Sequence, residues 1–175
     1  MPFSRLLSLL LFASLLAGCA QFQQVPSASG EAEQETLREV EMAQGADARA
    51  RAQALRPRIE RHAQENELPI ALANAVIRIE SNFNPRVVHA GNYGLMQIKL
   101  ATARAVGFGG SAADLLDPET NLHYGLKYLG SLYQQSQGDL CITIMKYQSG
   151  HRALRMSASN RAYCRRVKGL MTLSG

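Results

Sequence analysis

The chain has 175 residues, a formal net charge of +5, three Cys and no Trp, and at roughly 100–200 residues per domain it has room for one domain, which excludes a multidomain machine. Hydrophobic residues make up 46% and charged residues 19%, too apolar for a disordered chain and too interrupted for a protein that crosses a membrane repeatedly. What is left is a single globular core with something attached at an end.

The first element is a leader. Arg5 is the one charge before a Leu-rich run over residues 6–16, followed by Leu16-Ala17-Gly18-Cys19. A run of about ten apolar residues is too short to span a bilayer, so residues 1–18 are expected to be a secretory signal. Small residues directly before a Cys resemble the lipobox of bacterial lipoproteins, which implies cleavage before Cys19 and lipid on its thiol. Ala20, where a retention residue would stand, implies the outer membrane of a Gram-negative cell. If Cys19 is lipidated, Cys141 and Cys164 remain as an even pair in an exported chain. They are expected to form a disulfide, the alternative being two separate buried thiols.

Residues 20–50 are rich in Gln, Ala, Ser and Glu, with Glu31, Glu33, Glu35, Glu39, Glu41 and Asp47 against Arg38 and Arg49. This composition predicts a flexible, solvated linker over 19–50, with a transient helix as the alternative. From residue 51 onward the balance reverses to sixteen Lys and Arg against eight Asp and Glu, which points to an anionic partner for a domain over 51–175. The excess peaks at Arg152, Arg155, Arg161, Arg165, Arg166 and Lys168, a stretch without an acid. An exported chain would rarely meet nucleic acid, so peptidoglycan, with its lactyl and peptide carboxylates, is the expected polyanion; a merely solvated basic helix face is the alternative.

Within that domain the apolar spacing predicts helices and no sheet. The first covers about 51–66. The second begins at Pro69 and carries Leu72, Ala75, Val76 and Ile79, with Asn84-Pro85 beyond its end. A third is expected over 95–106, ending at Gly107. Asp117-Pro118 caps a fourth with the stripe Leu122, Leu126, Leu129 and Tyr133; Asp139 caps a fifth reaching about residue 148, and the basic end forms one more. The fold class is therefore all-α.

Glu80 is the informative acid, because helical spacing puts Ala73, Val76 and Ile77 on its side of the second helix. A carboxyl there is desolvated, its pKa rises, and it suits general acid work near neutral pH; a surface acid paired with Arg78 is the alternative. The other acids fall in loops, at helix starts or in a polar stretch. His62, His123 and His151 lie far apart without a metal-ligand spacing, so no metal is expected. No phosphate loop, nucleophile elbow or dinucleotide fingerprint appears, so no cofactor is expected.

Three blocks stand together in order: Glu80-Ser81-Asn82-Phe83-Asn84-Pro85, Gly94-Leu95-Met96-Gln97-Ile98 and Asp117-Pro118-Glu119-Thr120-Asn121-Leu122. Over about residues 69–150 this resembles the bacterial soluble-type (SLT) lytic transglycosylases. The resemblance implies a goose-type lysozyme-like helical domain with a glycan-binding cleft. It also implies Glu80 as the single catalytic acid and base, Ser81 as its support, and Gly94, Leu95, Met96 and Gln97 lining the cleft. The family's Ala-Tyr-Asn-Ala-Gly block reads Lys146-Tyr147-Gln148-Ser149-Gly150 here. Tyr147 is retained and is expected to orient the acid, although it would equally continue a core stripe from Leu140 and Ile144; Gln148 stands for the Asn. Many members carry Ser nine residues after the Glu, where this chain has His89.

The reaction so implied is nonhydrolytic cleavage of the MurNAc-β-1,4-GlcNAc bond, leaving 1,6-anhydroMurNAc ends, in wall turnover or local wall opening. A hydrolytic muramidase on the same fold and a non-catalytic peptidoglycan-binding lipoprotein are the alternatives. The implied partners are glycan strands, the membrane through lipid on Cys19, and a secretion or envelope machine, with the protein a monomer.

Overall fold

The computed structural model describes residues 28–172, with side chains from residue 32. The signal over 1–18 and the lipidation expected at Cys19 lie outside the described residues. The chain divides into two units, residues 1–39 and 40–175. What the structure describes of the first is helical; the core, cleft and contacts described below lie in the second.

Helix α1 runs Ala28–Glu65, so the described part of 19–50 is helical, the alternative to flexible coil. Ala, Glu, Gln and Arg are both highly soluble and the strongest helix formers, so a polar composition rich in them does not by itself mean coil. Residues 32–47 are all exposed. Burial begins at Ala48 and continues through Leu55, Ile59 and Ala63, a helical stripe against the core.

Helix α2 spans Ile70–Ser81 after Pro69 and ends on Asn82 in the left-handed conformation, φ 50°, one that Asn tolerates better than most residues. Its Leu72, Ala73, Ala75, Val76 and Ile77 share one core with Leu122, Leu126 and Leu129, which lie on α4, Pro118–Gln135. Each buried Leu or Ile is worth about 1.5–3 kcal/mol. Asp117 caps α4 by accepting from the Thr120 N–H at 2.8 Å, and Asp139 caps α5, Leu140–Ser149, from the Ile142 N–H at 2.8 Å. Helix α6, Ala158–Thr172, is joined to α5 by the disulfide Cys141–Cys164, with Cα atoms 5.3 Å apart.

Between α2 and α4 the chain departs from the expected helix over 95–106. Three two-residue strands, β1 Val88–His89, β2 Asn92–Tyr93 and β3 Ile98–Lys99, form an antiparallel meander with Val88 opposite Tyr93 and Tyr93 opposite Ile98. Strands this short show no alternation for a sequence pattern to detect. Helix α3 starts only at Leu100 and ends at Ala105, because the preceding residues are held in a turn.

Asn121 holds that turn. Its side chain is fully buried on α4; its Oδ1 accepts from the Met96 N–H at 2.8 Å, and its Nδ2 donates to the carbonyls of Tyr93 at 2.8 Å and Leu115 at 2.6 Å. Gly94, at φ +69°, passes so close that a Cβ would stand 2.6 Å from the Leu115 carbonyl oxygen. Only glycine combines that φ with that approach. A Leu115-centred cluster of Ile98, Ala103 and Phe108 packs beneath.

Asn121→Ala leaves the Met96 N–H and two carbonyls without their partner and is expected to cost about 3 kcal/mol, read as a lower urea midpoint at unchanged m-value. Cys141→Ser with Cys164→Ser reopens a loop with a sequence separation of 23 and is expected to cost about 3 kcal/mol in the same measurement.

Candidate active site

Glu80 sits in the last turn of α2, half-buried, with a side chain that the helix period directs over apolar neighbours. Burial raises its pKa above the usual carboxylate range; the Tyr163 hydroxyl and the Arg166 guanidinium oppose that rise. Tyr163, buried on α6, donates its O–H to Glu80 Oε1. Burial, then the charge of Glu80, pushes the Tyr163 phenol far up, so it stays a neutral donor. The result is a carboxyl whose proton is easily kept, beside a donor that stabilises the carboxylate once the proton leaves.

Around Glu80 lies a cleft of about 730 Å³. Its walls come from three places: Ile79 and Glu80 from α2, His89 and Asn92 from the small sheet with Gln97 beside it, and Tyr147, Gln148, Tyr163 and Arg166 from α5 and α6. A recess of about 250 Å³ extends it past Lys99, Thr102 and Tyr128, sharing Asn92, Gln97, Tyr147 and Gln148. Among the described residues Glu80 is the only carboxylate lining either space.

The expected site residues separate. Glu80, Gln97, Tyr147 and Gln148 line the cleft. Gln97, at φ +44°, donates through Nε2 to the carbonyls of Gly94 at 2.9 Å and Val87 at 3.0 Å, which braces the turn. Gln148 is held by Asn160, whose Nδ2 donates to its Oε1 at 2.6 Å, while its own Nε2 donates to Ser159 Oγ at 3.2 Å. Gly94, Leu95 and Met96 are not among the lining residues; Leu95 and Met96 are fully buried core, so their block serves the cleft by shaping the turn. Ser81 is buried, and its hydroxyl donates to the Ile77 carbonyl at 3.1 Å, on its own helix.

Tyr147 is not the hydroxyl partner of Glu80. Its O–H donates to the Met96 carbonyl at 2.6 Å, tying α5 to the turn that Asn121 holds, and burial pushes its pKa up. The partner is Tyr163, which the sequence reading did not single out, together with Arg166. A signal was present: Asn160, Tyr163, Cys164 and Val167 form the buried stripe of α6, and a Cys141–Cys164 bond brings residue 163 against the helix that carries Tyr147. The histidines also differ from expectation, since His62 and His123 are ring neighbours with centroids 5.4 Å apart, away from the cleft.

A family model described as "Transglycosylase SLT domain" matches residues 57–164. The soluble lytic murein transglycosylase of Escherichia coli K12 is 35% identical over 109 residues, covering 58% of this chain and 17% of that protein; its Salmonella typhimurium counterpart is 33% identical over the same length. The chain thus spans about a sixth of the curated relatives it matches. An inactive mutant of the lytic transglycosylase Slt from Pseudomonas aeruginosa shares the fold with a TM-score of 0.62 at 22% identity, over 69% of this chain and 24% of that one. The 70 kDa soluble lytic transglycosylase from Escherichia coli matches with a TM-score of 0.53 at 30% identity, over 66% and 19%. The fold is the lysozyme-like helical one.

A carboxyl whose pKa is raised on folding binds its proton more tightly in the native state, so stability falls as pH rises from the unfolded-state pKa through the folded one. Glu80→Gln removes that loss. The variant is expected to unfold at a higher temperature than wild type at pH 7, with the gap closing below about pH 4. Tyr163→Phe is expected to raise the Glu80 pKa further, seen in the ¹³C carboxyl shift during titration.

Proposed function

The chain belongs to the transglycosylase SLT domain family, and from that premise we propose that it is a peptidoglycan lytic transglycosylase with Glu80 as its acid and base. The observation that carries the proposal is the single carboxyl in the cleft, desolvated and held by Tyr163. Retaining and inverting glycosidases ordinarily flank the bond with two carboxyls, whereas one carboxyl needs a nucleophile from the substrate itself. Glu80 protonates the bridging oxygen of the MurNAc-β-1,4-GlcNAc bond, and the C1–O bond breaks. The resulting carboxylate, stabilised by the Tyr163 O–H, takes the proton of the C6 hydroxyl of the same MurNAc as O6 closes on C1. The products are a free GlcNAc 4-hydroxyl and a 1,6-anhydro end, with no water consumed. An intramolecular hydroxyl outcompetes bulk water through its effective concentration.

The acid-free face of α6, with Arg161, Arg165, Arg166 and Lys168, suits a strand bearing lactyl and peptide carboxylates. Arg166 reaches the cleft itself. Gln148 and His89, where the family pattern has Asn and Ser, keep polar groups on the cleft wall. The apolar run over 6–16 and the residues around Cys19 support a periplasmic enzyme anchored by lipid at the outer membrane, serving wall turnover or an envelope machine that needs a local opening.

Purified sacculi treated with the protein are expected to release muropeptides with anhydro ends, each lighter by one water than a hydrolysed end, by mass spectrometry. Glu80→Gln is expected to lower the release rate by about 10²–10⁴-fold. Ends carrying the added water would establish a hydrolytic muramidase instead, and glycan binding with no product from either protein would establish a binding role.

A further inference from the structure

Outside the cleft lining, where the end of α1 meets the start of α4, six side chains converge that the reaction does not use. His62 on α1 is almost wholly buried. Its Nε2 lies 2.8 Å from Glu119 Oε1 and its Nδ1 2.9 Å from Glu65 Oε2. Glu119 is in turn anchored by two arginines. Arg61 bonds to it directly and lies 3.4 Å from His62 Nε2, with Arg58 3.8 Å from the other Glu119 oxygen. The other ring nitrogen, Nδ1, faces the Glu65 carboxylate, whose second oxygen lies 3.9 Å from Arg61 Nε.

A third donor tips this arrangement toward a metal. His123, one turn along α4 from Glu119, sets its ring edge-on to that of His62, and one donor atom from each of His62, Glu65 and His123 lies within 4.8 Å of the others. Two imidazoles and a carboxylate are a ligand set that zinc takes, and Glu65 is exposed to solvent. Glu119 completes the pattern from outside: a carboxylate on the far nitrogen of a ligating histidine fixes its tautomer and raises its basicity. We propose that His62, Glu65 and His123 form a site for one zinc ion that ties the end of α1 to the first turns of α4. The sequence concealed it because residues 62 and 123 come from different helices, and only 62 and 65 share a recognisable i, i+3 spacing.

The full chain, stripped with a chelator and dialysed, is titrated with zinc chloride by calorimetry and followed by thermal unfolding. Uptake of one ion per chain with a rise in Tm is expected, and magnesium at the same concentration should give neither. Glu65→Gln and His123→Ala, both verified as folded by circular dichroism, should each weaken zinc binding by more than about tenfold, while His151→Ala leaves it unchanged. No uptake, or uptake that both ligand variants leave intact, would overturn the site.

Discussion

A carboxyl group placed against apolar helix neighbours is unfavourable as an anion, and the whole cleft is arranged around compensating Glu80 without neutralising it fully. Desolvation raises its pKa, while the Tyr163 hydroxyl and the Arg166 charge pull the other way. A strong salt bridge would hold the carboxylate so firmly that it could not deliver a proton, and bare burial would leave a base too reluctant to form. A neutral hydroxyl in direct contact with a cation farther off lies between these extremes. It allows one group to serve in both directions.

The opposite wall rests on a different kind of bond. Asn121 can satisfy three backbone groups at once because an amide presents donor and acceptor from one plane, and no apolar residue of similar volume can do so. Through it, α4 fixes the Gly94–Gln97 turn; through Tyr147 and the Met96 carbonyl, α5 is fixed to the same turn. The acid therefore faces a wall whose backbone is specified by two side chains from two helices. Neither needs to touch a substrate to matter.

The helices were legible because their signals are local. Pro69, Asp117 and Asp139 mark starts by chemistry that acts within one turn, and the Leu122-Leu126-Leu129 stripe repeats at the helical period. Glu80 was legible for the same reason, since its neighbours at three and four residues are apolar. What stayed hidden was decided across the chain. Helix α3 loses its first turns because Asn121 captures the Met96 N–H from 25 residues away. The hydroxyl on Glu80 comes from 83 residues away, so the recognisable block points to Tyr147 while the hydrogen bond is made by Tyr163. The described part of 19–50 stayed open between coil and helix for the opposite reason: its residues favour both water and helix, and composition alone does not choose between them.

The separation of 83 residues between Glu80 and its partner also sets an order of assembly. Helix α6 follows every other described element, so a chain emerging from the ribosome presents its acid long before it can present the hydroxyl that tempers it. The contact closes only after α6 has docked, and the Cys141–Cys164 bond then locks α6 onto α5 where thiols are oxidised. A chain shortened by its last fifteen residues would keep the acid, the braced turn and Tyr147, yet lack one whole wall of the groove. Among the described elements, the groove around Glu80 is thus finished only by the docking of α6.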